Sequence, residues 1–128
     1  MNLLLDTHLL IWGATRSRRL STEAISVISE PGNTLYFSVA SLWETAIKSA
    51  LRRQDFAIDV ATLRAGLLAN GYIELPVEGR HILTVRDLVA IHRDPFDRLL
   101  VAQAKSEGLL LLTVDRQLAA YGDSVRIV

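Results

Sequence analysis

Acidic side chains stand where hydrophobic runs stop. Leu3-Leu4-Leu5 ends in Asp6, and the run from Leu109 to Val114 ends in Asp115. If both runs are strands of an open α/β sheet, ligands bind in the crevice beyond their carboxyl ends, where both aspartates stand. An Asp directly after a strand also serves to cap the helix that follows, so neither residue decides the matter alone. Glu44 falls within a helical stretch running from Val39 to Arg52, at the edge of the apolar face made by Leu42, Trp43, Ala46, Ile47 and Ala50. A solvated side chain is the plain expectation there. Asp97 is the third residue of a helix opened by Asp94 and Pro95, a position where the helix dipole favours negative charge. Asp94 reads as that helix's N-cap and ranks behind Asp97 as a ligand. Taken together, Asp6, Glu44, Asp97 and Asp115 come from separate elements that a small sheet can gather at one edge. Crowded carboxylates repel and raise one another's pKa unless a cation sits among them. The natural cation is Mg²⁺ or Mn²⁺, a hard ion that takes oxygen ligands, and one or two of them can drive displacement at a phosphodiester. That chemistry is a nuclease's.

The elements that must position these groups are legible in outline. Apolar runs without alternation suit strands covered on both faces, as in parallel sheets flanked by helices. Leu3 to Leu5 and Leu109 to Val114 are of this kind, and Leu35 to Phe37, Tyr72 to Leu75 and Val125 to Val128 are further strand candidates. Ser21 is placed to cap a helix over 22–29, and Asp59 another that carries Leu63, Leu67 and Leu68 and stops at Asn70-Gly71. Gly108 ends the helix that begins at Asp94-Pro95. Strands and helices in alternation imply βαβ units with right-handed crossovers. The expected architecture is a single α/β domain over residues 1–128, a mainly parallel sheet of about five strands flanked by helices.

Composition narrows the field further. The chain has 128 residues, 50% hydrophobic and 22% charged, which is enough for one core burying roughly two-thirds of the unfolded surface. With no cysteine, disulfide scaffolds and thiolate metal sites are excluded. Fourteen Lys and Arg balance fourteen Asp and Glu, so any attraction for nucleic acid must come from a local basic surface. The apolar stretches fall well short of the roughly 20 residues that cross a bilayer, and the apolar opening is interrupted by Asp6 and His8. A cytoplasmic protein is expected.

Four stretches carry a family resemblance: Leu4-Leu5-Asp6-Thr7-His8, Ser41-Leu42-Trp43-Glu44, the block from His92 to Ala104 and Leu112-Thr113-Val114-Asp115. They resemble the PIN-domain family, and within it the VapC toxins of bacterial toxin–antitoxin pairs, nearly end to end and in the family's order. The block from His92 to Ala104 is the most specific part. The resemblance implies a PIN-like fold, a Mg²⁺- or Mn²⁺-dependent endoribonuclease, a cognate VapB-type antitoxin and a homodimer. It carries the acidic site onto Asp6, Glu44, Asp97 and Asp115, with the Thr113 hydroxyl orienting a carboxylate or a water. The family often has an aromatic residue three positions after its last acid, where this chain has Leu118. That departure bears on packing more than on catalysis.

Other residues have plainer readings. Arg98, beside Asp97, is expected to hold substrate phosphate or to pair with a site carboxylate. Arg16, Arg18 and Arg19 form one basic cluster, and Lys48, Arg52 and Arg53 another at a helix end, where cations are favoured in any case. Trp12 and Trp43 lie on apolar helical faces, where packing against the core or an antitoxin helix is expected before base stacking. The three histidines, His8, His81 and His92, show no metal-ligand spacing. Two rival functions are a Mg²⁺-binding receiver domain and a catalytically silent PIN domain that only binds partners. The first wants an adjacent acid pair after the first strand and a Lys after the last, whereas Asp6 is followed by Thr7.

Overall fold

The computed structural model describes residues 1–128. Five parallel strands make one sheet: β1 (Asn2–Leu5), β2 (Thr34–Ser38), β3 (Ile73–Leu75), β4 (Leu110–Thr113) and β5 (Val125–Ile127). Their order across the sheet is β3-β2-β1-β4-β5. The chain therefore builds outward from β1 in one direction and then returns to lay β4 on its other side. That reversal puts a crevice beyond the carboxyl ends of β1 and β4. Leu3, Leu4 and Leu5 pair in register with Leu110, Leu111 and Leu112, so the residues after both strands emerge side by side.

Side chains alternate across the sheet, and both faces are buried. Leu3 and Leu5 join Leu112, Phe37 and the apolar residues of α1 (Thr7–Thr15), α2 (Thr22–Ser29) and α4 (Val60–Ala69) on one face. Leu4 and Leu111 pack on the other face with Leu100, Val101 and Ala104 of α6 (Pro95–Glu107), and with Leu118 and Tyr121 of the 3₁₀ segment Arg116–Tyr121. Leu118 is fully buried, filling the place where the resemblance anticipates an aromatic ring. Burial on both sides is why the strands read as unbroken Leu runs.

Expected caps are in place: Ser21 accepts from the Ala24 N–H at 3.0 Å, Asp59 from Thr62 at 3.0 Å, and Asp94 from Phe96 at 2.8 Å. Gly108 adopts φ 67°, the left-handed conformation that closes α6. The helix expected to reach Arg52 is α3 (Val39–Ala50), followed by Arg52 at φ 57° and a short 3₁₀ turn, Gln54–Phe56. One helix, α5 (Gly79–Asp87), has no counterpart in the sequence reading. Its single buried residue is His81, so it carries no apolar stripe to announce it. No helix is long and apolar enough to cross a membrane.

Candidate active site

At the end of β1 the Asp6 N–H still bonds the Leu112 carbonyl, at 3.0 Å, which fixes the residue between β1 and β4. Its carboxylate does two things. Oδ1 accepts from the Leu9 N–H at 3.0 Å and caps α1, while Oδ2 accepts from the buried Thr113 hydroxyl. The capping and site readings of Asp6 therefore describe the same side chain. Thr113 Oγ1 also accepts from the Asp115 N–H at 3.1 Å, tying the turn after β4 to the one after β1. Asp6 is 5% exposed, and burial raises its pKa, opposed by the bonds from Thr113 and Leu9 and by nearby His8, and reinforced by the charge of Glu44.

Glu44 is 2% exposed, not a solvated side chain at a helix edge. The start of α3 is bolted to its neighbours, which sets the depth at which Glu44 emerges. Ser38 caps the helix through the Ala40 N–H at 3.0 Å and donates to Gln103 of α6 at 2.5 Å. Thr7 of α1 donates to the Ser41 hydroxyl at 2.9 Å, and Thr45 to the Ser41 carbonyl at 2.8 Å. Within the site Glu44 Oε2 accepts from Lys48 Nζ at 2.5 Å, and its other oxygen, Oε1, is buried with no hydrogen-bond partner. Lys48 is thus not part of a solvated basic helix end. Its ammonium pairs with Glu44 and lies 4.8 Å from the ring centre of Phe56 and 5.9 Å from that of Phe96.

Asp97 occupies the first turn of α6, where Asp94 Oδ1 accepts from its N–H at 3.2 Å. Burial is the main cause that lifts the Asp97 pKa to about 7, followed by the charges of Asp94, Glu44 and Asp6, with His92 pulling the other way. Asp115 Oδ1 caps the 3₁₀ segment through the Gln117 N–H at 3.0 Å. Its Oδ2 lies 2.9 Å from His92 Nε2, which is 3.7 Å from Asp97 Oδ2. Ligand atoms of His92, Asp97 and Asp115 all fall within 4.8 Å of one another.

His92 is the residue the sequence reading passed over. Its Nδ1 accepts from the Asp94 N–H at 3.1 Å, which assigns the ring proton to Nε2, facing the two carboxylates. The test of spacing along a helix could not find it, because His92 sits in the irregular turn before α6. Its position two residues ahead of the N-cap, at the head of the block from His92 to Ala104, is the signal the sequence held. Arg98, by contrast, donates to the Val85 and Leu88 carbonyls at 3.3 and 3.5 Å and ties down the end of α5 instead of bonding a site carboxylate. Trp43 is 62% exposed and belongs to no core cluster, whereas Trp12 packs partly buried against the core.

The donor set is carboxylate oxygen with one imidazole at its rim, which suits a hard divalent ion. Two observations fit such an ion. Glu44 Oε1 is a buried acceptor lacking a donor, and Asp97 is held partly protonated near neutrality by its burial and, after that, by the charges around it. A divalent cation satisfies the first and reverses the second.

Several solved structures share this fold. VapBC2 from Rickettsia felis bound to a DNA fragment from its promoter matches with a TM-score of 0.68 at 12% identity, over 100% of this chain and 98% of that one. VapBC-1 from nontypeable Haemophilus influenzae gives 0.63 at 20% identity, covering 94% and 92%. VapBC-5 from Mycobacterium tuberculosis, a toxin–antitoxin family member, gives 0.60 at 24% identity, covering 99% and 97%. At these identities the likeness is one of fold. No curated protein matches the sequence. The family model described as PIN domain matches residues 3–123, a span that begins in β1 and takes in each carboxylate gathered at the strand ends, and on that match the chain belongs to the PIN domain family.

Proposed function

We propose that the protein is a metal-dependent endoribonuclease of the VapC type, acting as the toxin of a toxin–antitoxin pair and neutralised by a VapB-type antitoxin. The observation that carries the reading is the buried, unpartnered Glu44 Oε1 beside Asp97, whose pKa is lifted to about 7 by burial first and then by the charges of Asp94, Glu44 and Asp6. A fold holds such an arrangement at a cost in stability, and a shared cation explains why it is kept. Asp6, Glu44, Asp97 and Asp115 would hold one or two Mg²⁺ or Mn²⁺ ions. When bound, these supply the positive charge that makes water nucleophilic at neutral pH and steadies the departing oxygen of the phosphodiester.

The chain's own groups prepare that chemistry. Thr113, donating to Asp6 and accepting from the Asp115 N–H, fixes the angle between the two strand-end aspartates. Lys48 occupies one oxygen of Glu44 and leaves the other to the crevice. His92 directs its Nε2 proton at Asp115 and orients that carboxylate. Asp94 spends one oxygen on the first turn of α6 and so presents Asp97.

Partners follow from the same reading. An apolar groove of about 560 Å³, lined by Leu10, Leu20, Ile25, Ile28, Leu63 and Leu67, offers an amphipathic antitoxin helix a seat away from the acids. A homodimer in the cytoplasm completes the proposal. The test is cleavage of single-stranded RNA in EDTA, Mg²⁺ and Mn²⁺, with the wild type and Asp97→Asn. Cleavage that needs the ion and fails in Asp97→Asn is expected; cutting of equal extent in EDTA, or by the variant, contradicts the reading. A chain that binds its antitoxin yet never cuts would be the silent alternative.

A further inference from the structure

Apart from the acids lies a second cavity, of about 310 Å³, lined by Ile11, Trp12, Ser17, Arg19, Gln54 and Asp55. Its contents are unlike those of an apolar groove. One wall is the Trp12 ring, with the Arg19 guanidinium 6.0 Å from its centre. Another is the 3₁₀ turn Gln54–Phe56, which brings an amide and a carboxylate to the same opening. His8 Nε2 bonds Asp55 Oδ2 at 3.2 Å, and no other side chain bonds that carboxylate. His8 also packs on Trp12 at 5.6 Å and edge-on to Phe56 at 5.2 Å. A continuous strip of side chains therefore runs from Trp12 through His8 and Phe56 to Lys48 and Glu44. The strip ends in the acid cluster.

We propose that this cavity is a nucleobase subsite, taking one unpaired guanine of the RNA substrate beside the scissile phosphate. Flat aromatic walls with a cation over them are how proteins hold single-stranded bases. At about 310 Å³ the cavity lies at the small end of ligand pockets, the size for one nucleoside and not for a helix. A carboxylate accepts and cannot donate, so Asp55 selects a base edge that presents donors. Guanine offers adjacent N1–H and amino donors, with O6 beside them for the Gln54 amide; uracil offers a single N–H. The base takes the guanidinium's place against the Trp12 ring, and Arg19, which is exposed, moves outward to the flanking phosphate. Arg19 and Trp12, which the acid site leaves without a task, thereby acquire one.

The inference rests on the RNA-cleaving reading, so it is tested first without cleavage. The chain has two tryptophans, and Trp43→Phe leaves Trp12 as the only indole reporter. In EDTA, guanosine 5′-monophosphate should quench this variant's fluorescence at concentrations at least about fivefold below those uridine 5′-monophosphate requires. Adding Asp55→Asn should remove the difference. Absence of quenching, equal quenching by the two nucleotides, or a preference that survives Asp55→Asn overturns the proposal. Cleavage of a random single-stranded RNA pool gives the second readout. The wild type should favour guanine at one position near the cut, and Asp55→Asn should still cut but lose that favour; an unchanged profile overturns the subsite. Nucleotide quenching by a protein that cuts no RNA would sink the ribonuclease reading and leave the subsite standing. Weakened antitoxin binding in Arg19→Ala with unaltered nucleotide quenching would reassign the cavity to a protein partner and also overturn it.

Discussion

Asp97 is where the site's electrostatics can be read most directly. Its carboxyl is raised from 3.8 to about 7 in the folded chain, so the native state holds a proton that the unfolded state has released. Stability without metal is therefore fully present below about pH 4 and declines as pH rises to about 7. Thermal melts in EDTA should fall between about pH 5 and pH 8, by an amount worth a few kcal/mol at most. Asp97→Asn should flatten that slope, and Mn²⁺ should reverse it for the wild type; a slope unchanged in the variant would place the titration elsewhere. Asp6 separates two roles of one side chain. Asp6→Asn keeps an oxygen for the Leu9 N–H while removing a buried charge, so its metal-free melting temperature at about pH 8 should exceed the wild type's. Asp6→Ala removes the cap as well and should sit about 1 kcal/mol below Asp6→Asn. Neither variant should cleave RNA, and a melt in which Asp6→Asn only matches the wild type while Asp6→Ala loses about 1 kcal/mol would mean that Asp6 is a cap alone. The strand-end aspartates were legible because unbroken Leu runs stop at them. The burial of Glu44 was not legible, since Glu44 and Lys48 four apart on a helix read the same whether the pair is solvated or sunk beneath Phe56 and Phe96.

Among the elements, α3 and α6 carry Glu44 and Asp97, and their placement is set by polar bolts instead of apolar stripes alone. Ser38 and Gln103 join the end of β2 to the middle of α6, and Gln103 goes on to the Pro76 carbonyl at 3.3 Å. His81 extends the same line. It is fully buried, bonds Glu107 of α6 through Nε2 at 2.9 Å and accepts from the Glu78 N–H at 3.0 Å through Nδ1. His81→Ala should therefore cost about 2 to 3 kcal/mol in chemical denaturation, from the donors and acceptors left unmet inside. Its activity per folded molecule should match the wild type's; an activity loss without a stability loss would contradict this structural assignment. The same bolts explain what the sequence concealed. Periodicity finds helices that bury apolar faces, and α5 buries a histidine while showing Ile82 and Leu83 to solvent, at 52% and 56%. Capping chemistry, being local, was readable: Ser21, Asp59, Asp94 and Gly108 mark helix ends where those residue types put them.

At the scale of the whole molecule, the strand order decides where the strand-end acids meet. Placing β4 beside β1 brings Asp6 and Asp115 together from positions more than a hundred residues apart in the chain, and α3 and α6 bring Glu44 and Asp97 within electrostatic reach of Asp6. Parallel strands buried on both faces made the α/β class legible, and the acids at strand ends made their convergence an inference from topology. The location of His92 could not be inferred in that way, because it depends on an irregular turn and not on an element. Under the proposed function, a molecule with no net charge draws RNA by local means, and the carboxylates of the crevice repel RNA until a cation fills it. The direct test of the central claim is isothermal titration of the metal-free protein with Mn²⁺ at about pH 7, run in buffers of different ionisation enthalpy. The account predicts saturable binding of one or two ions with release of protons, because Asp97 must give up its own, and loss of both heat and protons in Asp97→Asn. Binding without proton release, or identical isotherms for the wild type and the variant, would contradict it.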